Sequence, residues 1–149
     1  MQPGEPIDPL PDYVPPFESP DTNPELAKRY PLNIVSPKPH AFLNSQYGNA
    51  SDKQRVQGEQ RIFLHPDDAA ECGIVAGDLV QVFNDRGSFQ GSAQLDDAVM
   101  PGLAMATVGH WASSSPGKSS VNSITSDLHC TLGNAGVYSD NLVEVTKLG

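Results

Sequence analysis

The stretch Arg61-Ile62-Phe63-Leu64-His65-Pro66-Asp67-Asp68-Ala69-Ala70-Glu71-Cys72-Gly73-Ile74-Val75-Ala76-Gly77-Asp78 decides the fold. Its first apolar run ends at Leu64 and is bounded by helix-start chemistry, so it reads as a strand. Pro66 pre-sets φ for a first helical position, Asp67 and Asp68 lie where the helix dipole favours anions, and Gly73 is a C-terminal stop. A short helix therefore follows the strand. Gly77-Asp78 then turns the chain into Leu79 to Asn84, and Asn84-Asp85-Arg86-Gly87 is hairpin chemistry leading to Ser88 through Leu95. In that last run Phe89, Gly91, Ala93 and Leu95 share one face, as a half-buried strand requires.

Working outward, Pro101-Gly102 turns again and Leu103 to Val108 is apolar enough to be buried on both faces. After a Ser/Gly-rich loop from Ser113 to Ser120, Val121 to Thr125 reads as a further strand and Leu142 to Val145 as the closing one. Upstream, Leu32, Ile34 and Val35 form a short run between Pro31 and Pro37, consistent with a buried strand. Residues 36–58 are a polar loop holding Lys38, His40, Lys53 and Arg55 against Asp52 alone, a local reversal of charge in an acidic chain. Seven or so short strands with one or two small helices make the chain mainly β: a small barrel with short helical insertions.

The first 29 residues have another texture. Eleven of the 14 prolines fall between Pro3 and Pro39, and residues 1–30 carry six acids against Lys28 and Arg29. Proline removes a backbone donor and pushes its predecessor toward extended conformations, so residues 1–29 read as a proline-rich strap or interdomain linker, with Tyr13, Val14 and Phe17 as its apolar anchors. Residues 30–149 are the barrel domain. A strap of this kind is expected where a chain crosses between domains, so the chain reads as a fragment or a tail.

Composition excludes several function classes. With 9 Lys and Arg against 18 Asp and Glu, the net charge of −9 argues against nucleic-acid and anionic-membrane binding. No apolar run approaches the roughly 18 residues of a membrane span, and the first residues lack the basic and apolar character of a signal peptide. Cys72 and Cys130 make no disulfide framework, and the compartment stays open. The four histidines, His40, His65, His110 and His129, share no metal-binding spacing. Asp67-Asp68 and Asp96-Asp97 sit in cap or turn contexts with diverging side chains. Ser115-Pro116-Gly117-Lys118-Ser119 resembles the end of a P-loop, but Ala112 stands where the first glycine belongs and Pro116 removes a cradle donor. One enzyme reading survives on architecture: small double-psi barrels include pyruvoyl decarboxylases that cleave themselves at Gly-Ser, and Gly87-Ser88 and Gly91-Ser92 are present, although Gly-Ser in a hairpin is ordinarily turn chemistry.

The order of these parts resembles the C-terminal molybdopterin (guanine) dinucleotide-binding domain of the dimethyl-sulfoxide-reductase family of molybdenum and tungsten oxidoreductases. Ser36-Pro37-Lys38 followed by Asn44-Ser45 looks like the family's first cofactor loop, and Gly109-His110-Trp111 and Val121-Asn122-Ser123-Ile124-Thr125-Ser126-Asp127 look like its later ones. The likeness spans about residues 30 to 147. It implies a six-stranded double-psi β-barrel that closes over a bis(molybdopterin guanine dinucleotide) cofactor carrying Mo or W. The metal ligand and any iron–sulfur cluster would belong to a catalytic region of the same parent chain, or to a large catalytic subunit. The chain alone would then be non-catalytic and without its cofactor. Cys72 reads as helix packing and Cys130 as a loop thiol.

The resemblance assigns Ser36, Lys38, His40, Asn44, Ser45, His110, Trp111, Asn122 and Thr125 to cofactor contact. Small hydroxyls, amides and a few cations suit a pyrophosphate, a ribose and heterocycle edges. Lys38 is the charged contact, Asn44 and Asn122 read heterocycle edges, and His110 and Trp111 wall the pterin. Taken singly, Lys38 also reads as a solvated loop charge, Trp111 as a core aromatic and Asn122 as a cap. The family commonly carries Arg where Lys38 stands, and lysine does not reproduce a bidentate contact. The other class of function is a free-standing barrel subunit or interaction module that grips a partner with its strap.

Overall fold

The computed structural model describes residues 10, 12–130 and 133–149. Six strands, β1 (Leu32–Val35), β2 (Arg61–Leu64), β3 (Leu79–Asn84), β4 (Gly87–Leu95), β5 (Leu103–Ala106) and β6 (Leu142–Lys147), close into a barrel in the order β1-β5-β2-β4-β3-β6. Two pairs are parallel, β1 with β5 and β2 with β4, and the other four are antiparallel. That is the mainly β, closed six-stranded architecture expected of a double-psi barrel, and closure leaves no strand edge unpaired.

The core lies inside the barrel because the strands alternate. Ile34, Ile62, Leu64, Val80, Val82, Phe89, Ala104, Ala106, Val143 and Val145 point inward and are buried, and their strand neighbours are more exposed except Leu142, which is buried beside Val143. Large and small residues complement one another across it. At Gly91 a Cβ would stand 2.8 Å from the Gln60 carbonyl oxygen and 3.0 Å from Ile62 Cγ1, so that glycine is a packing requirement of β4. Gly87 is similarly pressed against the Ser123 carbonyl, at 2.7 Å, which accounts for both Gly-Ser pairs by packing.

Three short helices interrupt the strands: α1 (Pro24–Arg29), α2 (Ser51–Gln57) and α3 (Pro66–Glu71). Helix α3 has Pro66 at its start, Asp67 and Asp68 in its first turn and Gly73 at φ +65 beyond its end, as expected; its N-cap is His65, whose Nδ1 accepts from the Asp67 amide at 3.1 Å. Four expectations need correction. Val121–Ser123 is a single 3-10 turn and not a strand, because its amide bonds are local, Ile124 N donating to Val121 O. In β5 only Ala104 and Ala106 are buried; Leu103 and Met105 lie half-exposed, so the strand is one-sided. Cys72 is exposed at the end of α3 and does not pack the helix. The fourth concerns the strap.

Tyr13, Val14 and Phe17, the expected apolar anchors, are 76%, 73% and 40% exposed, so none of the three is buried. The strap is held by charge instead. Glu18 is buried, its carboxylate accepting from the Arg86 guanidinium and from the Leu142 amide at 3.0 Å. Arg86 also donates from Nε to Ile124 O at 2.8 Å and from Nη2 to Asn141 Oδ1 at 3.1 Å. Further along, Asn23 caps α1 by accepting from the Leu26 amide, and Arg29 and the Tyr30 hydroxyl both donate to Asp85. Those bonds, from Tyr30 first and Arg29 second, hold the Asp85 carboxyl below its ordinary value. Asn23-Pro24-Glu25, a cap followed by proline and an acid, is helix-start chemistry in the midst of a proline-rich segment.

Candidate binding cleft

Because β1 and β5 run parallel, their carboxyl ends open at the same end of the barrel and bring two loops side by side. One follows β1 and carries Ser36 to Ala50; the other follows β5 and carries Thr107 to Ser120. Val108 N donates to Pro37 O at 3.1 Å, tying the loops at their roots. Trp111 Nε1 donates to Ser45 O at 2.7 Å, tying them again farther out. Gly109 adopts φ +89, and a Cβ there would press on the Asn44 carbonyl oxygen, so only glycine lets the two backbones approach this closely. Asn44 and Tyr47 themselves hold positive φ, at 53 and 67, in a turn locked by reciprocal amide bonds between Leu43 and Gln46. Non-glycine residues in this region are uncommon, and they cluster where a loop's shape serves a site.

Between these loops and the 3-10 turn of Val121–Ser123 lies a cleft of about 310 Å³, lined by Asn44, Ser45, Gln60, Val108, Gly109, His110, Trp111, Ser120, Val121 and Asn122. His110 packs edge-on against Phe42, with ring centroids 5.3 Å apart, and its Nε2 lies 3.3 Å from the Thr107 hydroxyl. Burial pushes its pKa below the ordinary 6.5, so the ring is neutral near neutral pH. His110 and Trp111 also line a second cleft of about 370 Å³ together with Phe42, Gly48, Gln54, Arg55, Gly58, Glu59 and Ser114. The two aromatic rings thus form a partition between two adjoining grooves.

The first cleft carries hydroxyls, amides, an indole and a neutral imidazole, with no Asp, Glu, Lys or Arg in its lining. Such a surface suits the edges and faces of neutral heterocycles better than phosphate oxygens, which want cations. Gln60 adds a specific feature: it is 2% exposed, and its Oε1 has no hydrogen-bond partner. An unsatisfied buried acceptor costs about 1–3 kcal/mol, so something is expected to meet it. These properties fit a pterin or guanine ring. Among the described residues no group of three or more His, Cys, Asp or Glu could hold a metal ion.

Five of the nine residues assigned from sequence meet in this cleft: Asn44, Ser45, His110, Trp111 and Asn122. The other four line neither groove. Lys38 and His40 project outward on either side of the buried Pro39, Ser36 lies half-buried at the loop's root, and the Thr125 hydroxyl donates to Val121 O at 3.0 Å, closing the 3-10 turn. The one Lys or Arg lining either groove is Arg55, from α2, in the second. Lys118 of the P-loop-like run spends its ammonium on Ser113 O at 2.8 Å. Gln60 and Ser120 stand in no recognisable motif; Gly109 stands in the Gly109-His110-Trp111 motif, but its close approach to the Asn44 carbonyl is visible only in the fold.

Comparison with known proteins bears on the family and the fold. The family model "Molydopterin dinucleotide binding domain" matches residues 32–139. The chain is 33% identical over 149 residues to dimethyl sulfoxide reductase DmsA of Escherichia coli (strain K12), covering 97% of this chain and 18% of that protein. It is 41% identical over 85 residues to the dimethyl sulfoxide/trimethylamine N-oxide reductase of Cereibacter sphaeroides, covering 56% of this chain and 10% of that one. Among solved structures, acetylene hydratase from Pelobacter acetylenicus superposes with a TM-score of 0.80 at 23% identity, over 95% of this chain and 22% of the hydratase, a likeness of fold. The chain thus spans less than a fifth of the length of these two reductases.

Proposed function

This chain belongs to the family of molydopterin dinucleotide binding domains, and on that premise we propose that it closes over a bis(molybdopterin guanine dinucleotide) cofactor held mainly by a larger catalytic region. It is homologous to the C-terminal domain of molybdopterin oxidoreductases, and its relatives are far longer chains. When bound, the cofactor's molybdenum or tungsten supplies the redox chemistry. The residues of this chain bind and enclose. Asn44 and Asn122 present planar amides to heterocycle edges, His110 and Trp111 provide ring faces, and the Trp111–Ser45 bond holds the first loop in position. Ser36, Lys38, His40 and Thr125 are outer contacts in this reading, engaged once the larger region packs against the loop. Residues 1–29 serve as the strap between regions and residues 30–149 as the cofactor barrel; the catalytic partner is supplied by the same parent chain or by a large subunit.

The observation that carries the proposal is the convergence of three separated loops, at Asn44-Ser45, His110-Trp111 and Ser120 to Asn122, on one neutral polar cleft at the carboxyl end of two parallel strands. Titrating the isotope-labelled chain with extracted dinucleotide cofactor tests it. Amide resonances of residues 36–45 and 110–122 are expected to shift; shifts confined to other regions, or none at millimolar ligand, would refute the assignment. Reading the coding sequence upstream of Met1 tests the partner: an open frame carrying a cysteine-cluster or metal-ligand motif puts the catalytic region in the same chain, and a stop codon with a ribosome-binding site puts it in another.

A further inference from the structure

Gln60 immediately precedes β2 and is fixed on every side but one. Its carbonyl accepts from the Ser92 amide at 3.0 Å, and the missing Cβ of Gly91 leaves room for that carbonyl. Its side-chain Nε2 donates to Arg61 O at 3.2 Å and to Thr107 O at 3.4 Å. Two carbonyl oxygens facing one end of the amide settle which end is nitrogen, since the reverse orientation would set oxygen against oxygen. The Oε1 atom is therefore a rigid, neutral acceptor, buried, lining the cleft and without a partner.

An amide oxygen repels phosphate, which is all acceptor, and accepts from N–H donors; in a cleft whose lining holds no charged side chain, its complement is a neutral N–H donor on a flat ring. We propose that Gln60 Oε1 accepts a hydrogen bond from the exocyclic amino group of the bound heterocycle, on the amino-oxo pyrimidine edge that guanine and pterin share. The inference rests on the cofactor reading above. It assigns Gln60 to recognition and makes the cleft selective for amino-bearing rings.

The test uses the isotope-labelled 149-residue chain and two ligand pairs that differ at the amino position: guanosine diphosphate against inosine diphosphate, and hydroxymethylpterin against hydroxymethyllumazine. Readouts are the indole N–H of Trp111, the single tryptophan, and the side-chain amide of Gln60. The amino-bearing member of at least one pair is expected to bind about threefold to tenfold tighter, with a Gln60 shift at saturation. In Gln60→Met that preference disappears. Preference within the guanosine pair alone places the guanine end here, and within the pterin pair alone the pterin end. Equal affinity within both pairs, with Trp111 and Asn122 still shifting, overturns the role of Gln60 and leaves the cleft reading intact. A water molecule persisting at the Gln60 amide in the saturated complex overturns it equally. No shift at Trp111 or Asn122 with any of the four ligands or with the extracted cofactor overturns both. Should Gln60→Met fail to fold, the paired affinities of the unaltered chain decide.

Discussion

Replacing Arg86 with Met should loosen the strap from the barrel. Arg86 makes two bonds to Glu18, one to Ile124 O at 2.8 Å and one to Asn141 Oδ1 at 3.1 Å, so its loss strips the hub from a network joining the strap, the 3-10 turn and the entry to β6. The Glu18 side chain is only 12% exposed and would keep a single amide donor, Leu142 N. Breaking a buried pair by removing one partner costs about 3–5 kcal/mol. The guanidinium side chain is 31% exposed, which permits some resolvation of the carboxylate, so about 2–4 kcal/mol is the appropriate range. For a chain of this size that lowers Tm by roughly 5–15 °C. Glu18→Gln keeps an acceptor for Arg86, whose guanidinium loses its counter-charge but is 31% exposed and stays partly solvated, so it should cost only about 1–2 kcal/mol. The double variant should fall short of additivity by at least about 1 kcal/mol. Urea unfolding followed by circular dichroism, with calorimetry for Tm, measures all three, and limited proteolysis at residues 12–23 should accelerate in Arg86→Met. An Arg86→Met cost below about 1 kcal/mol, or strict additivity, would refute the view that this ion pair holds the strap.

Two further outcomes follow from the cleft. His110 has its pKa pulled below 6.5 by burial, so its neutral form is the one the fold favours: its contribution is complete above about 6.5 and is lost as pH falls below that value. Stability measured between about pH 7 and pH 5 should therefore decline, and more steeply in the parent chain than in His110→Asn; equal slopes would count against it. Gly109→Ala must place a side chain at φ +89 and against the Asn44 carbonyl, costing roughly 1–2 kcal/mol from the left-handed backbone alone and displacing the first loop. The Trp111 indole resonance should move and cofactor binding weaken, whereas an unmoved indole signal would show that the loops can be parted without disturbing the cleft.

Much of the barrel was legible because its signals are local. Pro66, the paired acids and Gly73 specify α3 within a few residues, and Phe89, Gly91 and Ala93 announce the inner face of β4 by alternation alone. Where the text misled, competing local signals pointed the other way. Val121 to Thr125 has strand-like composition, yet no neighbouring strand offers it a ladder and its amides bond within their own turn. Helix α2, SDKQRVQ, has no N-cap hydrogen bond and no buried residue, so neither a cap nor an amphipathic stripe marked it. In the strap, aromatic and apolar side chains were the natural anchors to expect, and a buried carboxylate served because its partner, Arg86, lies 68 residues away.

The sequence by itself determined the run from β2 through α3 and β3 to β4, the inner face of β4, the acidic balance of charge and, through the order of weak motifs, the family. The element signals among these are set by residues within a turn or a strand of one another. Tertiary structure alone decided which loop residues share a cleft. Parallel pairing of β1 with β5 puts their loops at one end, so Asn44 and Trp111 meet while Lys38, closer to Asn44 in the chain, points away. It also decided that Gln60, unremarkable in the sequence, holds an acceptor with no partner, because the carbonyls that fix its amide come from Arg61 and from Thr107, just beyond the end of the neighbouring strand β5. Hydrogen-bond satisfaction is a property of the assembled neighbourhood, and no local pattern of residue types contains it.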